Sequence, residues 1–165
     1  KTKAGSWEYD IVIPGYKCNL TDIAASIGLV QLDRYPKLLE RREDIISQYN
    51  KGFEGTKIKA LSHSSDDYKS CGHLYITHVE GATFEQRGEI IVKMAERGIS
   101  CNVHYKPLPL LTAYKNLGFD IENYPNAYNY YVKEITLPLH TRLSDEDVAV
   151  IIENFKEIVE EVVGE

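Results

Sequence analysis

The stretch Gly15–Arg42, G-Y-K-C-N-L-T-D-I-A-A-S-I-G-L-V-Q-L-D-R-Y-P-K-L-L-E-R-R, joins a polar loop, Gly15–Leu20, to a long helical pattern. Thr21 is placed to act as N-cap, since its hydroxyl can accept from an amide two or three residues on. Asp22 adds negative charge where the helix dipole is positive. Ile23, Ile27, Val30 and Gln31 recur at helical spacing among the small residues Ala24, Ala25, Ser26 and Gly28, which permit close approach of another backbone. A loop of amides and polar side chains feeding such a helix can hold an anionic group. Pro36 removes an amide and is expected to kink or restart the helix. A second helical pattern then runs through Leu38, Leu39, Arg42, Ile45, Ile46 and Tyr49 to Gly52.

Outward from this stretch the signals are those of a mixed domain. Before it, Y-D-I-V-I at Tyr9–Ile13 is a short apolar run ended by Pro14-Gly15, expected as a strand or extended lead-in. The charges Glu40–Asp44 read as a solvated, ion-paired helix face. Phe53–Gly72 is polar and reads as a linker or irregular loop. L-Y-I-T-H-V at Leu74–Val79 alternates as a half-buried strand should. Thr83 and Gln86 have capping-box spacing, before a helix that puts Phe84, Ile90, Ile91, Met94 and Ala95 on one stripe and Gly98 past its end. Ile99–Tyr105 is expected as a strand, Leu110–Leu117 as a short helix, Pro125 to about Lys133 as another, and Ile135–Leu137 as a brief strand. Ser144 caps a helix with an acidic first turn, Asp145–Asp147, and an apolar face of Val148, Ile151, Ile152, Phe155, Ile158, Val159 and Val162. Three strands among helices predict an α+β fold: a small, mainly antiparallel sheet with helices on one face and a long N-terminal helix.

Composition narrows the function classes. A chain of 165 residues can bury a real core as one domain, or one domain with an extension. A net charge of −6 argues against general affinity for nucleic acid or an anionic membrane. No apolar run approaches the roughly 20 residues that span a bilayer, and the opening K-T-K-A-G-S-W is not a signal peptide. It reads as a chain entered in mid-course. Cys18, Cys71 and Cys101 are odd in number and widely spaced, as expected of reduced thiols in a cytoplasmic protein. Cys71 with His73, and Cys101 with His104, are possible metal-ligand pairs, but neither completes a zinc quartet.

The opening stretch resembles the segment that follows the cofactor lysine in the DegT/DnrJ/EryC1/StrS aminotransferases. The matching residues are Gly15-Tyr16-Lys17-Cys18-Asn19-Leu20-Thr21-Asp22-Ile23, then Ala24-Ala25, Gly28-Leu29 and Gln31-Leu32, with Cys18 where the family usually has an aromatic residue. The likeness continues in order through Gly72–Ile76, through R-G-I-S-C-N-V-H-Y-K-P-L at Arg97–Leu108 and through Tyr114–Phe119. It ends in Tyr124–Ala127, T-L-P-L-H at Thr136–His140, and Leu143-Ser144.

The resemblance implies a fold-type-I enzyme that uses pyridoxal phosphate to move an amino group from an amino acid, commonly glutamate, to a nucleotide-linked keto-sugar. It also implies a homodimer and a role in polysaccharide synthesis. The Schiff-base lysine of the family lies in a pattern similar to S-x-H-x-x-K-x-x-x-x-G-E-G-G, and this chain contains none. The chain is therefore expected to be the C-terminal part, with no catalytic residue, no activity and no bound cofactor of its own. By position, Lys17 or Asn19 would reach the phosphate of the partner subunit's cofactor, and both groups suit a phosphate. His73, His104, Tyr105 and Lys106 would lie on the sugar-nucleotide side of the site. Many family members continue P-L-H where this chain has Pro107-Leu108-Pro109, which bears on substrate choice.

On this reading residues 1–20 are a junction with a large domain and an interface loop, 21–52 a connecting helix and 53–165 the small domain. Two other readings are open on the residues. One is a stand-alone, non-catalytic module that binds a nucleotide-sugar or a protein. The other is a dimerisation role for the helix containing Gly28.

Overall fold

A computed structural model describes residues 12–16 and 18–164, so Lys17 and most of the run Tyr9–Ile13 lie outside the described residues. The first helix, α1, runs from Asp22 to Gly52 with Pro36 inside it, so the expected restart does not occur. Thr21 caps it, its Oγ1 accepting from the Ala24 amide at 3.3 Å. The chain divides into two compact units between Tyr35 and Pro36. In the first unit Ile23, Ile27, Val30 and Leu32 are exposed. In the second, Ile45, Ile46 and Tyr49 of the same helix are buried.

The second unit is α+β. Its sheet has strands β1 (Ile58–Ala60), β2 (Tyr75–Val79) and β3 (Glu134–Leu137), antiparallel in the order β1-β2-β3. Ile58 pairs with Val79, Thr77 with Ile135 and Tyr75 with Leu137, so these six residues share the core face. Ile76, His78, Glu134 and Thr136 share the other.

Two sequence expectations need correction. β1 lies within the stretch expected to be linker, where Ile58 anchors it by burying its side chain. Ile99–Tyr105 is not a strand; it makes a single bridge, Asn102 to Thr136. The bridge has backbone bonds in both directions, at 3.1 and 2.8 Å. The ladder then stops because side chains take the next amides: Asn102 Oδ1 accepts from Val103 N–H at 2.8 Å and Glu134 Oε2 from His104 N–H at 3.0 Å.

Four further helices follow α1: α2 (Phe84–Glu96), α3 (Thr112–Lys115), α4 (Pro125–Tyr131) and α5 (Asp145–Val163). The capping boxes at Thr83/Gln86 and Ser144/Asp147 are both formed, each satisfying two otherwise orphan amides. On α2 the buried positions are Ile90, Met94 and, unexpectedly, Arg87, whereas Phe84 is exposed. The Arg87 guanidinium lies 4.7 Å from the Phe84 ring centre and 5.0 Å from that of Tyr131.

One core joins the C-terminal half of α1, the sheet, α2 and α5. Tyr49 packs on Tyr75 with ring centres 4.7 Å apart, and Phe53 meets Phe155 edge-on at 5.7 Å. The tyrosine hydroxyls are satisfied within this core: Tyr49 donates to the Pro138 carbonyl and Tyr75 to Asn50 Oδ1, each at 2.8 Å. Burying each such ring contributes about 2 kcal/mol, so this cluster sets the position of α1 on the sheet. On the other sheet face, Tyr130 of α4 approaches His78 at 5.6 Å.

Candidate functional site

The site grows from the alternation in K-E-I-T-L, Lys133–Leu137. Ile135 and Leu137 turn to the core, which directs Glu134 and Thr136 to the opposite face. Neither reaches solvent: Glu134 is 1% and Thr136 5% exposed. A buried carboxylate requires partners, and Glu134 has them. Thr136 Oγ1 donates to its Oε1 at 2.6 Å, and the His104 backbone N–H donates to its Oε2. The His104 ring closes the set, with Nδ1 2.9 Å from Thr136 Oγ1. Burial pushes the Glu134 carboxyl up; the Thr136 hydroxyl, the His104 amide and the nearby His104 and Arg87 side chains oppose that shift.

This triad borders a cavity of about 360 Å³ lined by His104, Tyr105 and Pro107 from one segment, Ala127, Tyr130 and Tyr131 from α4, and Glu134 from the sheet. The Tyr105 ring stands edge-on to His104 at 4.6 Å. The Tyr130 hydroxyl is buried without a hydrogen-bond partner among the described residues. Burial, with the Glu134 charge second, pushes it up to about 12, so it remains a neutral donor. Two smaller cavities adjoin by shared residues. One of about 190 Å³ is lined by His73, His104 and Thr136, among others, and one of about 230 Å³ by His78, Tyr130 and Lys133 with two asparagines of α4.

Of the residues singled out from the sequence, the structure gathers His73, His104 and Tyr105 around these cavities and leaves Lys106 exposed and outside them. Asn19 is exposed in the first unit, and Lys17 lies outside the described residues. The sequence reading missed Glu134, Thr136, Tyr130 and Tyr131. The available signal was the period of two in K-E-I-T-L, but a polar strand face ordinarily reads as solvated.

A separate open groove of about 900 Å³ lies between α1 and β1. Its histidine, His63, is engaged in packing: the ring stacks flat on Tyr75 at 5.7 Å and Nδ1 lies 3.3 Å from Ser70 Oγ.

The His104 cavity lacks the groups that hold pyridoxal phosphate. No lysine lines the His104 cavity, and both Glu134 oxygens are already engaged, leaving no free carboxylate for a pyridine nitrogen. Lys133 lines a neighbouring cavity that has no carboxylate. Among the described residues no three metal-ligating side chains converge, and Cys18, Cys71 and Cys101 are free thiols. No described helix is long and apolar enough to cross a membrane.

Comparison with known proteins gives a consistent result. The spore coat polysaccharide biosynthesis protein SpsC of Bacillus subtilis is 36% identical over 161 residues, covering 94% of this chain and 41% of its own length. The UDP-4-amino-4,6-dideoxy-N-acetyl-beta-L-altrosamine transaminase of Campylobacter jejuni subsp. jejuni serotype O:23/36 is 32% identical over 156 residues, with the same coverages of 94% and 41%. Among solved structures, the apo-form of the putative sugar aminotransferase Spr1654 from Streptococcus pneumoniae is 64% identical and superposes with a TM-score of 0.85. That match covers 98% of this chain and 40% of Spr1654. Its PLP-form, also 64% identical, matches with the same TM-score over 96% of this chain and 40% of its own. The chain thus spans about two fifths of the length of these relatives. The model of the DegT/DnrJ/EryC1/StrS aminotransferase family matches residues 1–156, and this chain belongs to that family.

Proposed function

We propose that this chain is the small-domain part of a cytoplasmic, homodimeric, pyridoxal-phosphate-dependent aminotransferase that acts on a nucleotide-linked keto-sugar in polysaccharide synthesis. An amino acid such as glutamate is the donor. Residues 1–20 form the junction and interface loop, 21–52 the connecting helix and 53–165 the small domain. The cofactor lysine belongs to a part of the enzyme that is not in this sequence. By its position in the sequence, Lys17 or Asn19 is the residue that binds the phosphate of the cofactor in the partner subunit, and the chain alone does not transaminate.

The observation that carries this reading is the His104 cavity. Among the described residues it offers a neutral tyrosine hydroxyl with no hydrogen-bond partner, an imidazole and two further aromatic walls, and no amine that could hold a carbonyl. Such a set suits a polyhydroxylated ring stacked on tyrosine. It binds and orients; it does not supply the nucleophile.

The test has two parts, both on the 165-residue chain. Titration with a UDP-linked sugar, followed by backbone NMR, should perturb His104, Tyr105 and Tyr130, and Tyr130→Phe should weaken that response. No perturbation at millimolar sugar nucleotide would overturn the substrate side of the reading. Incubation with pyridoxal phosphate, glutamate and keto-sugar nucleotide should give no 2-oxoglutarate; turnover would overturn the assignment of this chain as non-catalytic.

A further inference from the structure

With Glu134 ionised, the hydrogen bonds of the buried triad have one consistent direction. The His104 backbone N–H can only donate, so Glu134 Oε2, at 3.0 Å, must accept. On the other oxygen, the Thr136 hydroxyl sits 2.6 Å from Oε1. That length falls in the range of a hydroxyl donating to an ionised carboxylate. Thr136 has one hydrogen, and it is spent on Glu134. Toward His104 Nδ1, 2.9 Å away, its oxygen can only accept. The proton of a neutral His104 ring must then be on Nδ1. That leaves the Nε2 lone pair, which has no hydrogen-bond partner among the described residues and is not among the buried unpaired atoms. His104 lines two cavities.

We propose that Glu134, acting through Thr136, is a positioning residue that holds His104 as its Nδ1–H tautomer, so that Nε2 meets the ligand as a hydrogen-bond acceptor. The ligand group opposite Nε2 is therefore a donor, a hydroxyl or an amide N–H, and not a phosphate oxygen. Assigning that donor to a sugar rests on the function proposed above, whereas the tautomer does not. The same geometry predicts what reverses the chain. With glutamine at 134, the amide oxygen stays on the His104 N–H and the amide NH₂ turns to Thr136. Thr136 then donates to Nδ1, and the ring proton moves to Nε2.

The experiment is two-bond ¹H–¹⁵N NMR of the histidine rings in the 165-residue chain, with the His104 signals identified by their loss in His104→Gln. The native chain should show Nδ1–H. Glu134→Gln should show Nε2–H, Thr136→Val a mixture of tautomers, and Thr136→Ser the native pattern restored. An Nε2–H tautomer in the native chain would overturn the proposal, as would a folded Glu134→Gln that keeps Nδ1–H. If Glu134→Gln does not fold, Thr136→Val decides: a pure Nδ1–H tautomer without the hydroxyl refutes the relay, and mixing supports it. No ligand is needed, so this result and the sugar titration fail independently.

Discussion

Arg41 Nη1 donates to Asp145 Oδ1 at 2.7 Å, joining α1 to the first residue of α5. Arg41 Nη2 also donates to the Leu143 carbonyl at 2.7 Å, and Gln48 Nε2 to the same Asp145 oxygen at 2.9 Å. The Gln48 bond first and the Arg41 bond second hold the Asp145 carboxyl below the usual carboxylate range. A depressed folded pKa means stability that is present above the unfolded value and lost as pH falls through the folded one. Asp145→Asn should therefore lower the melting temperature near neutrality and make little difference at strongly acid pH. Thermal melts of both proteins across that range check this, and a gap that persists in acid would show that the effect is not the carboxylate's charge.

The buried Arg87 is held by two rings and by no ion pair among the described residues, and its Nε lacks a hydrogen-bond partner. The flat guanidinium lies over both rings, whose centres are 5.9 Å apart, and an ammonium does not reproduce that contact. Arg87→Lys should cost about 1 kcal/mol in urea unfolding, and a smaller amount in a Phe84→Leu background. An unchanged midpoint would mean that the rings contribute nothing to holding the charge.

Two glycines separate backbone strain from crowding. Gly72 and Gly98 both have positive φ, +60° and +77°. A Cβ at Gly98 meets nothing within 4 Å, whereas at Gly72 it would sit 3.0 Å from Ile46 Cδ1 and 3.2 Å from Arg42 Cβ. Gly98→Ala should cost about 1 kcal/mol from strain alone, and Gly72→Ala about 3 kcal/mol because packed α1 side chains must also move. Equal costs by chemical denaturation would show that Ile46 and Arg42 yield freely.

Much of this fold is legible in local sequence. Thr83 with Gln86 and Ser144 with Asp147 mark helix starts because the bonds involved close within three residues. On the α5 stripe Val148, Ile151, Phe155, Ile158 and Val159 are buried as the period requires, with Ile152 and Val162 partly buried at its edge. Pro36 does not end α1, since one lost amide bond did not outweigh the helix on either side of it. The strands were less legible: Ile99–Tyr105 has the composition of a strand, but its amides are taken by Asn102 and Glu134 side chains. Ile58–Ala60, in a polar stretch, is a strand because β2 offers it an edge.

The candidate site divides in the same way. His104 and Tyr105 could be named from their place in the chain, and so could the missing lysine pattern, because both are matters of residue order. The roles of Glu134 and Thr136 could not. A glutamate on a short strand reads as solvent-facing until something covers it, and what satisfies it here is a backbone amide 30 positions earlier. Sequence alone determined the helix caps, the apolar stripes and the family, because those are written in neighbouring residues and their order. Only the tertiary structure decided which carboxylate is buried and which imidazole nitrogen is engaged by Thr136, because desolvation and hydrogen-bond direction exist only once distant segments meet.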